Sequence, residues 1–266
     1  KGWDFCGSSH LNWRLFMPNS ITVTWPAISE FIPVAVFVGI AACIYMIAGF
    51  GFALFAVPSV SLFMPVTEAV SLLTLLGLTS VLRQSFALRE HIDRPSAIRF
   101  SLWAVAGMPV GFWIVNVISD QALRIFLGTS TIIATVVLLR RSENHSFHPA
   151  VESSFAFASG VLNVSIGTNG SPLVFALQGR RLTPNQFRAT IAVIFAVSAV
   201  VTSMIFAVDG RYTSRILLLA LSALPSWSIG TLTGRNVANK IDQQQFRSVV
   251  LLLLAITGIS TLGFAL

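Results

Sequence analysis

Long apolar stretches alternate with short polar or basic connectors along most of this chain. Crossing about 30 Å of hydrocarbon takes roughly 20 helical residues at about 1.5 Å each. Eight stretches meet or approach that length: Phe31 to Phe50, Val66 to Leu88, Ala97 to Val117, Ala122 to Leu139, Ser153 to Ile166, Phe187 to Val208, Ile216 to Thr233 and Phe246 to Leu266. The fifth is short. Two further apolar pieces, Phe52 to Met64 and Ser171 to Gln178, are too brief for an ordinary crossing and read as half-helices. The pattern predicts an all-α polytopic membrane protein with eight long helices and two short broken ones, about ten membrane segments.

Composition agrees. Of 266 residues, 55% are hydrophobic and 10% charged, mean hydropathy is +0.80, and Phe outnumbers Tyr by 21 to 2. That lies outside the usual range of soluble domains. Residues 1–30, with Trp3, Trp13 and Trp25, lack the basic start, apolar core and cleavage site of a signal peptide and read as an interfacial lead. The expected location is the plasma membrane, the inner membrane of a bacterium, with the lipid bilayer as surroundings.

An internal repeat organises the rest. Gly51 matches Gly170, Pro65 matches Pro184 and Gly111 matches Gly230 at a constant offset of about 119 residues, and "ISDQALRIF" is echoed by "KIDQQQFRS". Residues 31–147 and 148–266 are therefore read as two homologous repeats. Each runs long helix, Gly-rich break, short helix, Pro turn, three long helices. An odd number of crossings per unit makes the halves inverted, the pattern of secondary transporters with sites near the midplane.

The formal charge of +7 does not point to nucleic acid, because the basic residues sit in loops between apolar spans. Placing Arg89, Arg94, Arg99, Arg140, Arg141, Arg180, Arg181, Arg188, Arg235, Lys240 and Arg247 on one side leaves Arg14, Arg124, Arg211 and Arg215 opposite. This split requires each short piece to count as a crossing; if the short pieces instead continue or return beside their neighbours, the count is eight and the charge bias nearly vanishes. Cys6 and Cys43 fit neither a redox pair nor a metal pattern.

The two breaks, "IAGFGFALFAVPS" and "SIGTNGSPLVFAL", carry the candidate chemistry. Backbone without partners is expensive in hydrocarbon and survives there only against protein or a wet cavity. A helix start carries about +0.5 charge and unpaired N–H groups, so two half-helices meeting at their starts would offer roughly one positive charge to an anion. Gly49, Gly51, Gly167 and Gly170 would let the backbone approach closely, with Ser165, Thr168, Asn169 and Ser171 adding polar contacts. The same glycines would also serve tight helix crossing. Asn163 could line the cavity or bond a neighbouring helix. Arg83 could supply a further cation, with Gln84 assisting, or snorkel to the interface; Arg188 is the other candidate cation. Ser59 and Gln178 stand at the ends of the short helices. Glu68 is the one proton site considered on a helix for coupling, though its position after Pro65 also suits an ordinary N-terminal charge.

These elements resemble the sulfite exporter TauE/SafE family, also called the toluene sulfonate uptake permease family. The resemblance rests on "GFGFALFAVP", "LREHIDRPSAIR" at Leu88 to Arg99, "GMPVG" at Gly107 to Gly111, "GTNGSPLVFAL" and "LTPNQFRAT" at Leu182 to Thr190, and covers roughly Ile32 to Leu266. It departs from the family in a first break without a full Gly run and a second containing Thr168 and Asn169. It implies a transporter of sulfite or small organosulfonate-type anions, coupled to an ion gradient. An anion channel of the same architecture and a membrane assembly factor are the other classes, and a second copy of the chain remains a candidate partner. No HExxH, P-loop or GxSxG appears, so an enzyme is not expected, and neither is a cofactor or metal.

Overall fold

The structure is a computed structural model and describes residues 28–48, 51–139, 148–178, 180, 182–238 and 243–265. Residues 1–27 of the interfacial lead, Gly49, Arg140, Arg141, Arg181 and Lys240 lie outside the described residues, and the last three residues of that lead form the start of α1. Among those described, the regular structure is helical, with ten α-helices and no strand: α1 (Ile28–Ala48), α2 (Phe52–Val60), α3 (Val66–Ala87), α4 (Arg94–Val117), α5 (Asp120–Leu139), α6 (Pro149–Ile166), α7 (Gly170–Gln178), α8 (Pro184–Val208), α9 (Ser214–Ala238) and α10 (Gln243–Gly263). Five of them, α1, α3, α4, α8 and α9, are long and apolar enough to cross a membrane by length and composition.

Helix boundaries follow local chemistry. Thr183 caps α8 in a capping box with Gln186, and Pro184 occupies the first helical position, where a missing N–H does no harm. Pro65 is the N-cap of α3 and Pro95 the second residue of α4, both at positions whose N–H has no intrahelical acceptor. α6 begins at Pro149, four residues before the apolar run, because Glu152 is buried there by pairing with Arg99 and Arg180.

Polar contacts establish which helix ends meet. Arg215 at the start of α9 bonds Glu30 at the start of α1 and Glu68 at the start of α3. Near the start of α5, Arg124 donates to the carbonyls of Ser61 and Met64, and Asp120 accepts from Val66 N at 2.7 Å. Arg211, after α8, reaches Asn116 near the end of α4. One end of the bundle thus gathers the starts of α1, α3, α5 and α9 with the ends of α2, α4 and α8. At the other end, Arg180 after α7 bonds Ser96 near the start of α4 and Glu152 near the start of α6, while Asp93 N donates to Thr190 of α8. Each short helix therefore returns to the end from which its long predecessor set out.

Two helix pairs run parallel in backbone contact. A Cβ on Gly160 of α6 would lie 1.8 Å from the Ala104 carbonyl oxygen of α4, and one on Gly230 of α9 would lie 2.1 Å from the Gly39 carbonyl oxygen of α1. Small residues permit such approach, and between membrane helices packing takes over from the hydrophobic effect as the cohesive force. α3 against α8 and α5 against α10 complete the bundle. Its surface is apolar at many points, with Ile98, Leu102, Trp113, Leu221 and Ile229 all exposed, as lipid contact requires.

Candidate functional site

The chain breaks where it enters α2. Gly51 caps that helix at φ 96°, in the left-handed region that side chains disfavour. The first intrahelical bond runs from Phe55 N to Gly51 O at 3.1 Å, so the N–H groups of Phe52, Ala53 and Leu54 have no intrahelical acceptor. In the second break α6 stops at Gly167, φ 69°, whose N–H donates to Asn163 O while Thr168 N donates to Leu162 O. The Gly167 bond closes the carbonyl end of α6 as an αL cap, and Thr168 satisfies one further carbonyl. α7 then starts afresh at Gly170, and the Ser159 hydroxyl pins the turn by donating to Asn169 O at 2.9 Å.

Both breaks open on one hollow. Gly51 and Phe52 on one side, and Gly167, Asn169 and Gly170 on the other, line a space of about 670 Å³ counted out to its open mouth. Asn163, Tyr45, Gly77 of α3 and Phe195 of α8 complete much of the wall. The starts of α2 and α7 therefore face the same volume, each contributing about +0.5 charge. The wall contains no Arg, Lys, Asp or Glu among the described residues. Most of it is apolar, which excludes water and strengthens whatever the helix ends can offer a charge.

Asn163 holds the wall together as well as lining it. Its Nδ2 donates to Thr202 Oγ1 at 2.7 Å and to Ser198 O at 3.5 Å, tying α6 to α8 in the buried interior. Tyr45, which nothing in the sequence singled out, donates to Gln84 and joins α1 to α3. Gln84 thus acts behind the wall.

Several other sequence candidates lie elsewhere. Ser59 donates to Phe55 O at 2.8 Å and Ser165 to Val161 O at 2.7 Å, each within its own helix, and neither lines the hollow. Thr168 is buried in the turn, and Ser171 is half-buried one residue past Gly170. Arg83 is exposed one turn before the end of α3, and Arg188 is exposed on α8. Glu68 pairs with Arg215 at the end of the bundle. The Gln178 side chain lies outside the described residues. Glu152, absent from the sequence candidates, is the most buried carboxylate described: it accepts from Arg180 at 2.9 Å and from Arg99, and both guanidinium groups stand over the Phe100 ring, at 5.3 and 5.0 Å. Its partners are 28 and 53 residues away, so no local pattern announces them.

The sulfite exporter TauE/SafE family model matches residues 34–261. A probable sulfite/organosulfonate exporter TauE from Cupriavidus necator is 25% identical over 181 residues, which span 64% of this chain and 68% of that protein. No solved structure matches the chain. The family match, together with the apolar helices, makes this a multi-pass inner-membrane transport protein. With the match running through both interrupted segments, the chain belongs to the sulfite exporter TauE/SafE family.

Proposed function

We propose that the protein is a secondary transporter that moves sulfite or small organosulfonate-type anions across the membrane. The anion is held near the middle of the bilayer between the starts of α2 and α7. The observation that carries this reading is the single hollow shared by Gly51 and Gly170, two positions about 119 residues apart in equivalent places of the two halves. A sulfonate or sulfite oxygen accepts hydrogen bonds from the backbone N–H groups of Phe52 to Leu54, and from Gly170 and Ser171. Asn169 contributes its side-chain amide.

The same reading treats the halves as inverted repeats. In support, α1 with α2 departs from and returns to one end of the bundle, and α6 with α7 does the same at the other. The glycine contacts of α1 with α9 mirror those of α4 with α6. Transport then consists of one half tilting against the other around a site that both supply, opening it alternately to each side.

A thermal-stability screen of purified protein tests the proposal, since a ligand that binds the native state raises its stability by mass action. Sulfite, isethionate and taurine should raise the melting temperature, and Asn169→Ala should reduce that shift and the saturable uptake in proteoliposomes. An absence of response to every anion overturns the reading. A conductance in planar bilayers that never saturates would replace it with a channel.

A further inference from the structure

Away from the hollow, α4 and α6 enclose a second opening. The two helices touch at their middles, where a Cβ on Gly107 would lie 2.2 Å from the Phe157 carbonyl oxygen. Toward their N-terminal ends their side chains border a cleft of about 820 Å³ counted out to its open mouth. Its walls are layered. Arg99 of α4 and Ser153 of α6 form an outer rung; Trp103 and Phe157, each four residues further on, form an inner rung about 6 Å deeper.

The outer rung is cationic. Among the described residues Arg99 and Arg180 both pair with Glu152, and Arg180 also reaches the Asp93 carboxylate through Ser96, so Arg99 is the guanidinium of the cluster that keeps a free edge toward the cleft. Arg99 makes its bonds to Glu152 and to the Pro149 carbonyl oxygen through Nη2 alone, so Nη1 is not engaged by them, and the side chain stays 30% exposed. Ser154 donates back to Ala150 O, whereas Ser153 makes no such bond. Beside the cleft, Ile98 and Leu102 of α4 are 62% and 66% exposed, continuing the aromatic rung onto the lipid-facing surface.

We propose that this cleft binds an anionic phospholipid of the surrounding leaflet, with its phosphate at Arg99 and Ser153 and the head of an acyl chain over Trp103 and Phe157. Charge above and aromatic surface one turn below reproduce the order of a lipid from head group to tail, and basic pockets between membrane helices suit anionic head groups. A free anion would use only the outer rung, and a zwitterionic lipid would set its own cation against the exposed edge of Arg99. The inference is independent of what occupies the central hollow.

Native mass spectrometry of the purified protein, titrated with phosphatidylglycerol or phosphatidylcholine of identical chains, tests it. Phosphatidylglycerol should bind more tightly, and Arg99→Gln should weaken it about fivefold, as the loss of one interfacial cation implies. Because Arg99→Gln also leaves Glu152 short of a partner, Ser153→Ala and Trp103→Leu provide variants that spare the ion pair; both should weaken phosphatidylglycerol binding with the melting temperature unchanged. Equal binding of the two lipids, unchanged binding in both of those variants, or displacement of phosphatidylglycerol by inorganic phosphate alone would overturn the assignment.

Discussion

Gly160→Ala isolates the backbone contact between α4 and α6. The added Cβ would stand 1.8 Å from the Ala104 carbonyl oxygen, about 1.6 Å short of the 3.4 Å at which ordinary contact begins. The obstacle is main chain, so no rotamer change relieves it and the helices must part. Opening a packed interface by even 0.5–1 Å forfeits about a quarter to a half of each dispersion well along it, and overfilling a close-packed site typically costs about 1–3 kcal/mol. We expect about 2–3 kcal/mol here, or a fall of roughly 5–10 °C in melting temperature for a chain of this size. Gly230→Ala should behave alike, its Cβ falling 2.1 Å from the Gly39 carbonyl oxygen. Gly77→Ala and Gly263→Ala are the controls: the first meets only the Phe52 ring at 3.6 Å, and the second meets nothing within 4 Å. Differential scanning fluorimetry in detergent reads all four. If Gly160→Ala melts no lower than Gly263→Ala, the two helices do not touch as described and the reasoning fails.

Gly51→Ala has open space around its Cβ, with Ile44 Cγ2 the nearest atom at 3.9 Å, so its effect comes from the positive φ alone: about 1–2 kcal/mol in melting experiments, with Gly51→Asn milder. Asn163→Ala should cost about 1–2 kcal/mol by stranding buried Thr202, and the double variant with Thr202→Val should cost less than the sum of the two, as chemical denaturation of a cycle would reveal. Arg124→Ala frees the Ser61 and Met64 carbonyls that anchor the turn between α2 and α3; hydrogen exchange should accelerate across that turn, and the KM for anion uptake should rise more than kcat falls.

Much of this fold is written in the hydropathy of the chain. The apolar stretches foresee α3, α4 and α8 within three residues and α9 up to its last five, and the half-helices begin at Phe52, as expected, and at Gly170, one residue before the expected Ser171. The start of α6 was hidden because Glu152 looks like the end of an apolar segment; only its two distant arginines allow it inside. The site divides the same way. Gly51, Gly167, Asn169 and Gly170 are recognisable because helix breakers inside hydrocarbon need an explanation, and they share the hollow. Ser59 and Ser165 are equally polar but bond the preceding turn of their own helices, and sequence spacing alone does not distinguish a hydroxyl turned toward the cavity from one turned back on its helix. Tyr45 and Phe195 look like ordinary apolar-helix residues until the tertiary structure sets them against the breaks.

Charge is distributed so that the ends and the middle do different work. Arg215 with Glu30 and Glu68 locks one end, and Arg99 and Arg180 with Glu152 lock the other. Both clusters keep their cations engaged beside partners and away from the hollow, whose described wall has no ionised side chain of either sign. A lysine or arginine in that wall would hold an anion through a full charge of high desolvation penalty, and release would require breaking a charge-assisted bond. Fractional charges from two helix starts bind more weakly, and they belong to separate halves of the chain. In the proposed mechanism, tilting one half against the other would separate those starts and remove part of the attraction, so the motion that opens the site would also loosen its hold on the solute.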